Sequence, residues 1–209
     1  MEDTLTPSLA SDVLTLTLEH LWLVLISVSV AVAIAVPGAV VLSRRARLRR
    51  WLLGVTNVVQ TIPSLAVFGF LLPVPLIGGV GKRTAIVALV LYALLPVLRN
   101  TLVGILGIDP AVRESAVAMG MTDRQLLFQV EMPLAVPTIL AGVRTATVTT
   151  IGTATIAAVI GGGGLGVFIF RGIAMVDTAQ ILAGAIPAAA MALLVDEVLG
   201  WLEHKLSPV

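Results

Sequence analysis

Residues 109–133 read DPAVRESAVAMGMTDRQLLFQVEMP, a polar stretch within a chain that is otherwise strongly apolar. Asp109 is a favourable N-cap residue, and Pro110 suits the first position of a helix, where its missing N–H has no partner to lose. The helix that follows is rich in Ala, Val and Met and reaches Gly120, the residue type preferred just beyond a helix C-terminus. The pattern predicts a short helix that ends in a tight corner.

A second short helix is predicted directly after this corner. Thr122 and Gln125 have the spacing of a capping box, in which each side chain accepts a hydrogen bond from the other residue's backbone. Pro133 and Pro137 are expected to bracket the exit of this helix, because proline lacks the N–H that a continuing helix needs. Two capped helices around a fixed corner form a rigid unit, here called the 109–133 element. Such rigidity favours a docking surface over a loop without a partner.

The composition indicates a membrane protein. Of the 209 residues, 58% are hydrophobic and 12% are charged, and the mean hydropathy is +1.06. Soluble domains carry about 25% charged residues. A helix needs about 20 apolar residues to cross the hydrocarbon core of a bilayer, and runs of that length recur along the chain. We therefore predict an all-α polytopic membrane protein with five spans, at about residues 21–43, 52–73, 84–106, 138–160 and 179–201.

The distribution of arginine and lysine predicts the orientation of the chain. Five arginines lie in the sequence RRARLRR at residues 44–50, directly after the first span, and the positive-inside rule places such a cluster in the cytoplasm. Five spans then leave the N-terminus outside, with residues 1–20 as an extracytoplasmic segment, and residues 203–209 inside as a cytoplasmic tail. The 109–133 element is expected to face the cytoplasm. Because residues 1–20 lack the basic start of a signal peptide, the first span is expected to be retained.

Polar and small residues interrupt the predicted spans. Pro63 lies within span two and frees backbone carbonyls, which in a membrane need partners on neighbouring helices or water in a cavity. Span four carries small residues on two stripes, for which helix packing is favoured over a polar path. The stripes consist of Gly142, Ala146, Thr150 and Ala157 on one side, and of Thr145, Thr149 and Thr153 on the other. The glycines at 161–164 and 166 are expected to form a flexible turn on the outer side.

Charged residues within the spans receive a structural interpretation. Asp196 and Glu197 fall in the last third of span five, beside Trp201. Acids inside a membrane often mark functional sites, yet a position at the inner membrane interface is favoured over a proton or cation site. Arg99 and Arg144 are expected to extend toward the cytoplasmic interface.

Neither a catalytic residue nor a cofactor or metal site is expected in this chain. Cysteine is absent, and His20 and His204 lie at opposite ends of the chain, so both are expected at the membrane interface rather than on one metal ion. Residues 161–166 match the pattern G-x-G-x-x-G, but they follow a predicted membrane helix instead of a β-strand, and no acid follows about 20 residues later. Nucleic acid is not an expected partner, because the one basic cluster abuts a span and has no aromatic platform.

The 109–133 element resembles the E-A-A loop of ATP-binding-cassette importer permeases. The resemblance rests on Glu114-Ser115-Ala116, on Gly120 six residues after the glutamate, and on Glu131-Met132-Pro133. Ser115 and Met132 replace an alanine and a leucine of the family pattern, and both changes are small. Further stretches resemble the branch that imports glycine betaine, carnitine, choline and related quaternary amines: QTIPS at 60–64, LPVLRNT at 95–101, IGTAT at 151–155, and residues 160–172.

The resemblance implies a type I importer permease over residues 21–202, in the plasma or inner membrane of a prokaryote. It implies three kinds of partner: a second permease subunit, a dimer of cytoplasmic ATPases that holds ATP and Mg²⁺, and an extracytoplasmic substrate-binding protein. The residues that would couple to the ATPase are Arg113, Glu114, Ala116, Ala118, Met119, Gly120, Met121 and Arg124. Polar residues near the interruption of span two and midway along the later spans are hypothesised to border a translocation path: Gln60, Thr61, Ser64, Asn100, Thr149 and Thr153.

Two alternative functions remain open at the level of sequence. A methionine-type or other small-solute importer permease would have the same size and number of spans, although the QTIPS and IGTAT stretches argue against it. An ion-coupled secondary transporter would use residues such as Asp196, Glu197 or Arg144. Such transporters usually show two related halves, and this sequence shows no such symmetry.

Overall fold

The computed structural model describes residues 6–206, with side chains from residue 11 onward, and this part of the chain consists of helices and turns without a β-strand. The expected all-α class is confirmed. In chain order the α-helices are α1 (Thr6–Ser43), α2 (Ala46–Thr61), α3 (Ser64–Leu71), α4 (Lys82–Leu106), α5 (Pro110–Ala118), α6 (Asp123–Gln125), α7 (Met132–Ile156), α8 (Gly166–Met175) and α9 (Thr178–Leu206). A π-helical turn, Leu126–Glu131, precedes α7, and a 3₁₀ turn, Ala157–Ile160, follows it.

Four helical stretches of the described chain are long and apolar enough to cross a membrane. They are residues 11–43 of α1, all of α4, the continuous helix 123–160, and α9. Helices α2 and α3 qualify only together, and a bend of 100° separates them. The structure therefore has four candidate spans, or five if the bent pair crosses as one. The count of five and the direction of the chain stay predictions.

The first helix begins much earlier than the first predicted span. Helix α1 starts at Thr6 instead of residue 21, so most of the predicted segment 1–20 is helical. Helix α9 likewise continues into the predicted tail 203–209 and ends at Leu206, while residues 207–209 lie outside the described residues. Charged residues mark where a span meets water, but they do not end a helix whose backbone bonds are already satisfied, and for this reason helix ends and span ends differ.

Helices α1, α4 and α7 form the centre of the bundle. Their contacts use small side chains, among them Ala35 on α1, Ala93 on α4 and Ala146 on α7, which are fully or almost fully buried. Helices α4 and α7 approach closely at Gly142, where a Cβ atom would lie 2.6 Å from the Cβ atom of Asn100 on α4. Because small residues allow helix axes to approach closely, the stripe that contains Gly142 and Ala146 packs against α4, as predicted.

The bent pair α2–α3 is fixed to α4 at its corner. Ile62 has extended backbone angles (φ −72°, ψ 128°), as expected for a residue before proline. The hydroxyl of Tyr92 on α4 donates a hydrogen bond to the Ile62 carbonyl at 2.5 Å. In return, Nε2 of Gln60 donates to the Tyr92 carbonyl at 3.2 Å. The Tyr92 carbonyl has no backbone donor within α4, because Pro96, four residues later, lacks an N–H.

The expected exit of the second short helix at Pro133 is wrong. The helix that starts at Asp123 continues through the π-helical turn into α7 and reaches Ile160 without a break. Pro133 lies in the first turn of α7, directly after the turn where the hydrogen-bond period changes. A missing N–H is tolerated there because the ladder is already interrupted. The 109–133 element is thus continuous with a spanning helix.

Candidate functional site

Local hydrogen bonds build the 109–133 element as its sequence predicts. Asp109 Oδ1 accepts from the Ala111 N–H at 2.9 Å and caps α5. At the other end, the Thr122 hydroxyl accepts from the Gln125 N–H at 3.4 Å, and Gln125 Oε1 accepts from the Thr122 N–H at 2.9 Å, so that the capping box is complete. Both predicted caps are confirmed.

The corner between the two helices is a Schellman motif. The Gly120 N–H donates to the Val117 carbonyl at 2.9 Å, and the Met121 N–H donates to the Ala116 carbonyl at 3.2 Å. Gly120 has a φ of +83°, in the left-handed region that glycine enters without steric cost. The direction of the chain after α5 is therefore set by one glycine.

Most of the residues expected to couple to the ATPase lie on the outside of this element. Met119 is 72% exposed, and Glu114, Ala118, Gly120 and Arg124 are exposed as well, whereas Met121 is half-buried. Ala116 is 2% exposed and packs inward. The outward residues form a continuous surface of α5 and the corner, which is the surface a docking partner could contact.

Arg113 differs from the other residues of this set because it is bonded within the chain. Its Nε donates to Glu131 Oε1 at 2.9 Å, and its Nη2 donates to the Ile105 carbonyl at the end of α4. The second oxygen of Glu131 accepts from Arg44, which lies just after α1. The side chain of Glu131 is 0% exposed, against 25% for Arg113 and 49% for Arg44. Glu131 is the centre of this cluster, here called the Glu131 cluster.

Sequence reasoning identified Glu131 only as part of the loop pattern and did not predict the Glu131 cluster. Its neighbours Val130 and Met132 are apolar, and it stands at the beginning of a spanning helix. An acid in such surroundings is rarely buried without a partner, so the position itself was a signal. The identity of its partners was not readable, because Arg44 and Glu131 lie 87 residues apart in the sequence.

A second ion pair joins α7 to α9. Arg144 donates through Nε and Nη2 to the two oxygens of Asp196, at 2.6 and 2.7 Å, and its Nη1 lies 3.5 Å from Glu203 Oε2. Gly200 lies between the two acids on the same face of α9, and a Cβ atom there would lie 2.9 Å from Arg144 Nη1. The sequence did not predict these partners of Arg144, and pairing of both its nitrogens with a carboxylate is a favourable arrangement for an arginine inside a membrane. Glu197 is exposed on α9.

The six residues expected along a translocation path fall into separate places. Thr149 lies beside the Arg144–Asp196 pair in a cavity of about 410 Å³, and Thr153 follows it one turn later, donating to the Thr149 carbonyl at 2.9 Å. Gln60, Thr61 and Ser64 flank the bend between α2 and α3, and Asn100 donates to the Pro96 carbonyl at 2.9 Å where α4 meets α7. Within one chain these residues do not form a single site.

The glycine turn, predicted to be flexible, packs against the buried side chain of His20. His20 is 0% exposed, and its Nε2 donates to the Ile151 carbonyl at 3.1 Å, so its side chain is buried between helices of the bundle. The turn packs over it: a Cβ atom on Gly164 would lie 3.0 Å from His20 Nδ1, and the Gly164 N–H donates to Glu19 at 3.3 Å. Since Glu19 also pairs with Lys82 at 2.8 Å, the turn is bonded in place rather than flexible.

A metal centre is not present in the described residues, where no three His, Asp or Glu side chains come close enough to hold an ion. The geometry therefore consists of an outward docking surface, a buried ion cluster beneath it, and a bundle of apolar helices.

Comparison with known proteins identifies the family. Residues 21–208 match the family model described as binding-protein-dependent transport system inner membrane component. The chain belongs to this family. It is a multi-pass membrane protein of the ATP-binding-cassette permease type, as the E-A-A resemblance implied.

Named relatives of this permease come from several bacteria. It is 50% identical over 175 residues to the glycine betaine/carnitine/choline transport system permease protein OpuCD of Bacillus subtilis, covering 83% of this chain and 75% of that protein. It is 44% identical over 197 residues to the carnitine transport permease protein OpuCB of Listeria monocytogenes, covering 94% and 89%. With the osmoprotectant import permease protein OsmW of Salmonella typhimurium it shares 42% identity over 197 residues, covering 93% and 90%.

A solved structure confirms the fold of the permease. The inward-facing MetNI methionine ABC transporter contains a chain that matches with a TM-score of 0.86 over 100% of both chains, at 21% sequence identity. At this identity the likeness concerns the fold alone. The predicted type I importer permease fold is confirmed, and the expected membrane location agrees with the family description.

Proposed function

We propose that this permease is the membrane subunit of an ATP-driven importer for quaternary-amine osmoprotectants such as glycine betaine, carnitine or choline. The observation that carries the proposal is the identity of 42–50% to permeases named for glycine betaine, carnitine and choline, for carnitine, or for osmoprotectants in general, over most of the length of each chain. The methionine importer shares only the fold, at 21% identity. The permease itself performs no chemical step, and ATP with Mg²⁺ belongs to a partner ATPase.

The outward surface of α5 and the Gly120 corner is the proposed contact with the ATPase. Its geometry supports this role, because capping, the Schellman motif and the Glu131 cluster all hold it in one conformation. A docking element must be rigid if it is to transmit force instead of bending. Glu114 is exposed there and is expected to contact a basic residue of the ATPase.

A second permease subunit, identical or homologous, is expected against the face that carries α2 and the threonine side of α7. None of the residues of α2 is buried within this chain, and the Arg144–Asp196 pair and Thr149 line an open cavity between α7 and α9. Ion pairs and hydroxyl groups are unfavourable against lipid tails. A face of this kind is expected to border a translocation path between two subunits, with Gln60, Thr61, Ser64, Asn100, Thr149 and Thr153 contributing from each of them.

Transport follows from a two-state equilibrium. Closure of the ATPase dimer moves the 109–133 elements, and the spanning helices tilt between inward-open and outward-open states. The extracytoplasmic binding protein shifts this equilibrium only as far as its affinity for the two states differs. Selectivity for the amine is assigned mainly to that binding protein. Recognition of quaternary ammonium groups uses aromatic cages, and this chain has only three Trp and one Tyr.

Reconstitution tests the proposed function directly. The permease is purified with its ATPase, placed in liposomes, and supplied with its binding protein and one candidate solute at a time. Glycine betaine, carnitine or choline is expected to stimulate ATP hydrolysis and uptake, whereas L-methionine is not. Stimulation by methionine alone would favour the methionine-type importer, and uptake driven by an ion gradient without ATP would favour a secondary transporter.

A further inference from the structure

The Glu131 cluster buries a charged side chain at a position where burial of an apolar side chain would cost less free energy. Glu131 is 0% exposed, and each of its two carboxylate oxygens accepts from a different arginine. Buried ion pairs contribute little net stability compared with apolar packing, because the loss of hydration offsets the attraction. What such a cluster supplies is a defined geometry, since both oxygens and both guanidinium groups must keep their relative positions.

The cluster joins four elements that the chain alone connects only loosely. Arg44 follows the end of α1, and Arg113 projects from α5. Arg113 also donates to the Ile105 carbonyl in the last turn of α4, and Glu131 leads directly into α7. One carboxylate therefore links the ends of α1, α4 and α7 to the docking helix.

Helix α5 has few other attachments to the bundle. Of its nine residues, Ala116 is buried and Arg113 is half-buried, while the others are exposed. Glycines lie on both sides of the helix, at 107 and 120, and glycine allows more backbone conformations than any other residue. Without the Glu131 cluster, α5 would be attached to the spans mainly by the contact of Ala116, by the Gly120 corner that leads to α7, and by residues 107–109 after α4.

The π-helical turn places Glu131 in this cluster. A π turn accommodates one extra residue relative to an α-helix, and one residue corresponds to about 100° of rotation around the axis. The turn Leu126–Glu131 ends on the glutamate itself. It thereby rotates this side chain toward the two arginines while α7 keeps its apolar face against α4. Bulges of this type occur frequently at functional sites.

We propose that Glu131 is a positioning residue that makes α5 and the adjoining ends of α1, α4 and α7 one rigid body. Force applied to α5 then reaches three spanning helices together instead of passing through the Gly120 corner into α7 alone. The proposal rests on the proposed function for its source of force, which is the ATPase. Its structural half, the rigid attachment of α5, holds for the permease alone.

Hydrogen exchange of the permease alone, in lipid nanodiscs, tests the attachment. Glu131→Gln keeps the size of the side chain and removes its charge, and we expect the backbone amides of residues 112–119 to exchange about tenfold faster. Arg44→Gln removes only the more exposed partner, and is expected to give a smaller increase. Asp123→Asn, an exposed acid of the same element, is the matched control and should leave exchange unchanged. Unaltered exchange in both Glu131→Gln and Arg44→Gln would overturn the proposal.

Coupling is measured in the complex with the ATPase and the binding protein. Glu131→Gln is expected to bind the ATPase with wild-type affinity and to keep basal ATP hydrolysis, while stimulation by loaded binding protein falls about tenfold. Glu114→Gln is expected to show the opposite pattern, with weaker ATPase binding and wild-type exchange in α5. Faster exchange with full stimulation would contradict the role in coupling.

Two further outcomes separate the attachment from the proposed function. If Glu131→Gln does not fold, Arg113→Lys replaces it, because lysine keeps the charge but has a single nitrogen in place of the separate Nε and Nη2 donors that reach Glu131 and Ile105. It is then expected to show the faster exchange, and wild-type exchange would count against the proposal. If the wild-type permease binds no ATPase, the proposed function fails, while the exchange experiment still decides whether Glu131 fixes α5.

Discussion

At the scale of single residues, Gly200 has no side chain and thereby leaves space on α9 for the charged side chain of Arg144. The guanidinium group of Arg144 lies across α9 between Asp196 and Glu203, and a Cβ atom on Gly200 would lie 2.9 Å from Nη1 and 3.1 Å from Cζ. We expect Gly200→Ala to displace this group and to lower the midpoint of thermal unfolding by a few degrees. Asp196→Asn should have a similar effect, and the double variant should be little worse, because both changes act on Arg144.

Gly152→Ala is the matched control for this prediction. Gly152 also lies within a spanning helix, α7, but a Cβ atom there would have no neighbour within 4 Å in the chain. Alanine favours helix more than glycine does, so thermal unfolding should be unchanged or slightly later. Equal destabilisation by Gly200→Ala and Gly152→Ala would mean that the space for Arg144 is not the cause.

Glu114 is the residue expected to contribute charge to the ATPase contact. It is exposed on α5, and a hydrogen bond that involves a charged group contributes about 1.5–3 kcal/mol. We expect Glu114→Lys to weaken ATPase binding by at least that amount, because attraction becomes repulsion. Asp12→Lys makes the same charge change on α1, and it should leave binding unaffected. Binding titrations of the two variants provide the comparison.

At the scale of elements, the corner at Gly120 sets the direction of the 109–133 element. Its φ is +83°, and a Cβ atom would meet nothing within 4 Å, so a substitution there acts through backbone strain alone. Gly120→Val is expected to cost about 1–2 kcal/mol and to turn α6 relative to α5, which should reduce both uptake and stimulated ATP hydrolysis. Gly120→Asn places a residue that tolerates this conformation and should retain most activity. Equal loss of uptake in both variants would mean that the presence of a side chain, and not backbone strain, causes the defect.

The bend between α2 and α3 is the element where a path residue can be tested against a structural one. Gln60→Leu is expected to reduce transport while ATPase assembly stays intact, as its hypothesised place on the path requires. Gln60 also donates to the Tyr92 carbonyl, and Tyr92 donates to Ile62 across the bend. Tyr92→Phe removes the second of these bonds without changing Gln60. If uptake by Tyr92→Phe falls as far as that of Gln60→Leu, the bend and not the path explains the loss.

Sequence reasoning predicted those parts of the fold that depend on neighbouring residues. The caps at Asp109 and Thr122 and the corner at Gly120 are confirmed, because their partners lie within five positions along the chain. The burial of His20 and the partners of Glu131 were not predictable in the same way. Each depends on a contact over 87 or more residues, such as His20 with Ile151 or Glu131 with Arg44, and periodicity carries no information about such distances.

At the scale of the whole molecule, two ion pairs mark the opposite ends of the bundle. Lys82, where α4 begins, pairs with Glu19 in the first half of α1. Arg44, just after α1, pairs with Glu131 before α7, and Arg113 joins Glu131 to the last turn of α4. Glu19 and Arg44 are 25 residues apart in the sequence, which corresponds to about 37 Å along a helix and is enough to cross a bilayer. Between Arg44 and Lys82 the chain must therefore return over the same distance, and α2 and α3 are the helices of this segment.

This geometry leads us to expect that the bent pair crosses the membrane as the fifth span. The chain has no native cysteine, so single cysteines report on one position each. Arg47→Cys, in the basic cluster, should react with a membrane-impermeant thiol reagent only from the cytoplasmic side. Val80→Cys, 82% exposed in the loop before α4, should react only from outside. Reaction of both from one side would mean that α2 and α3 re-enter without crossing, and the 109–133 element would then lie across the membrane from the arginine cluster, in conflict with its bond to Arg44.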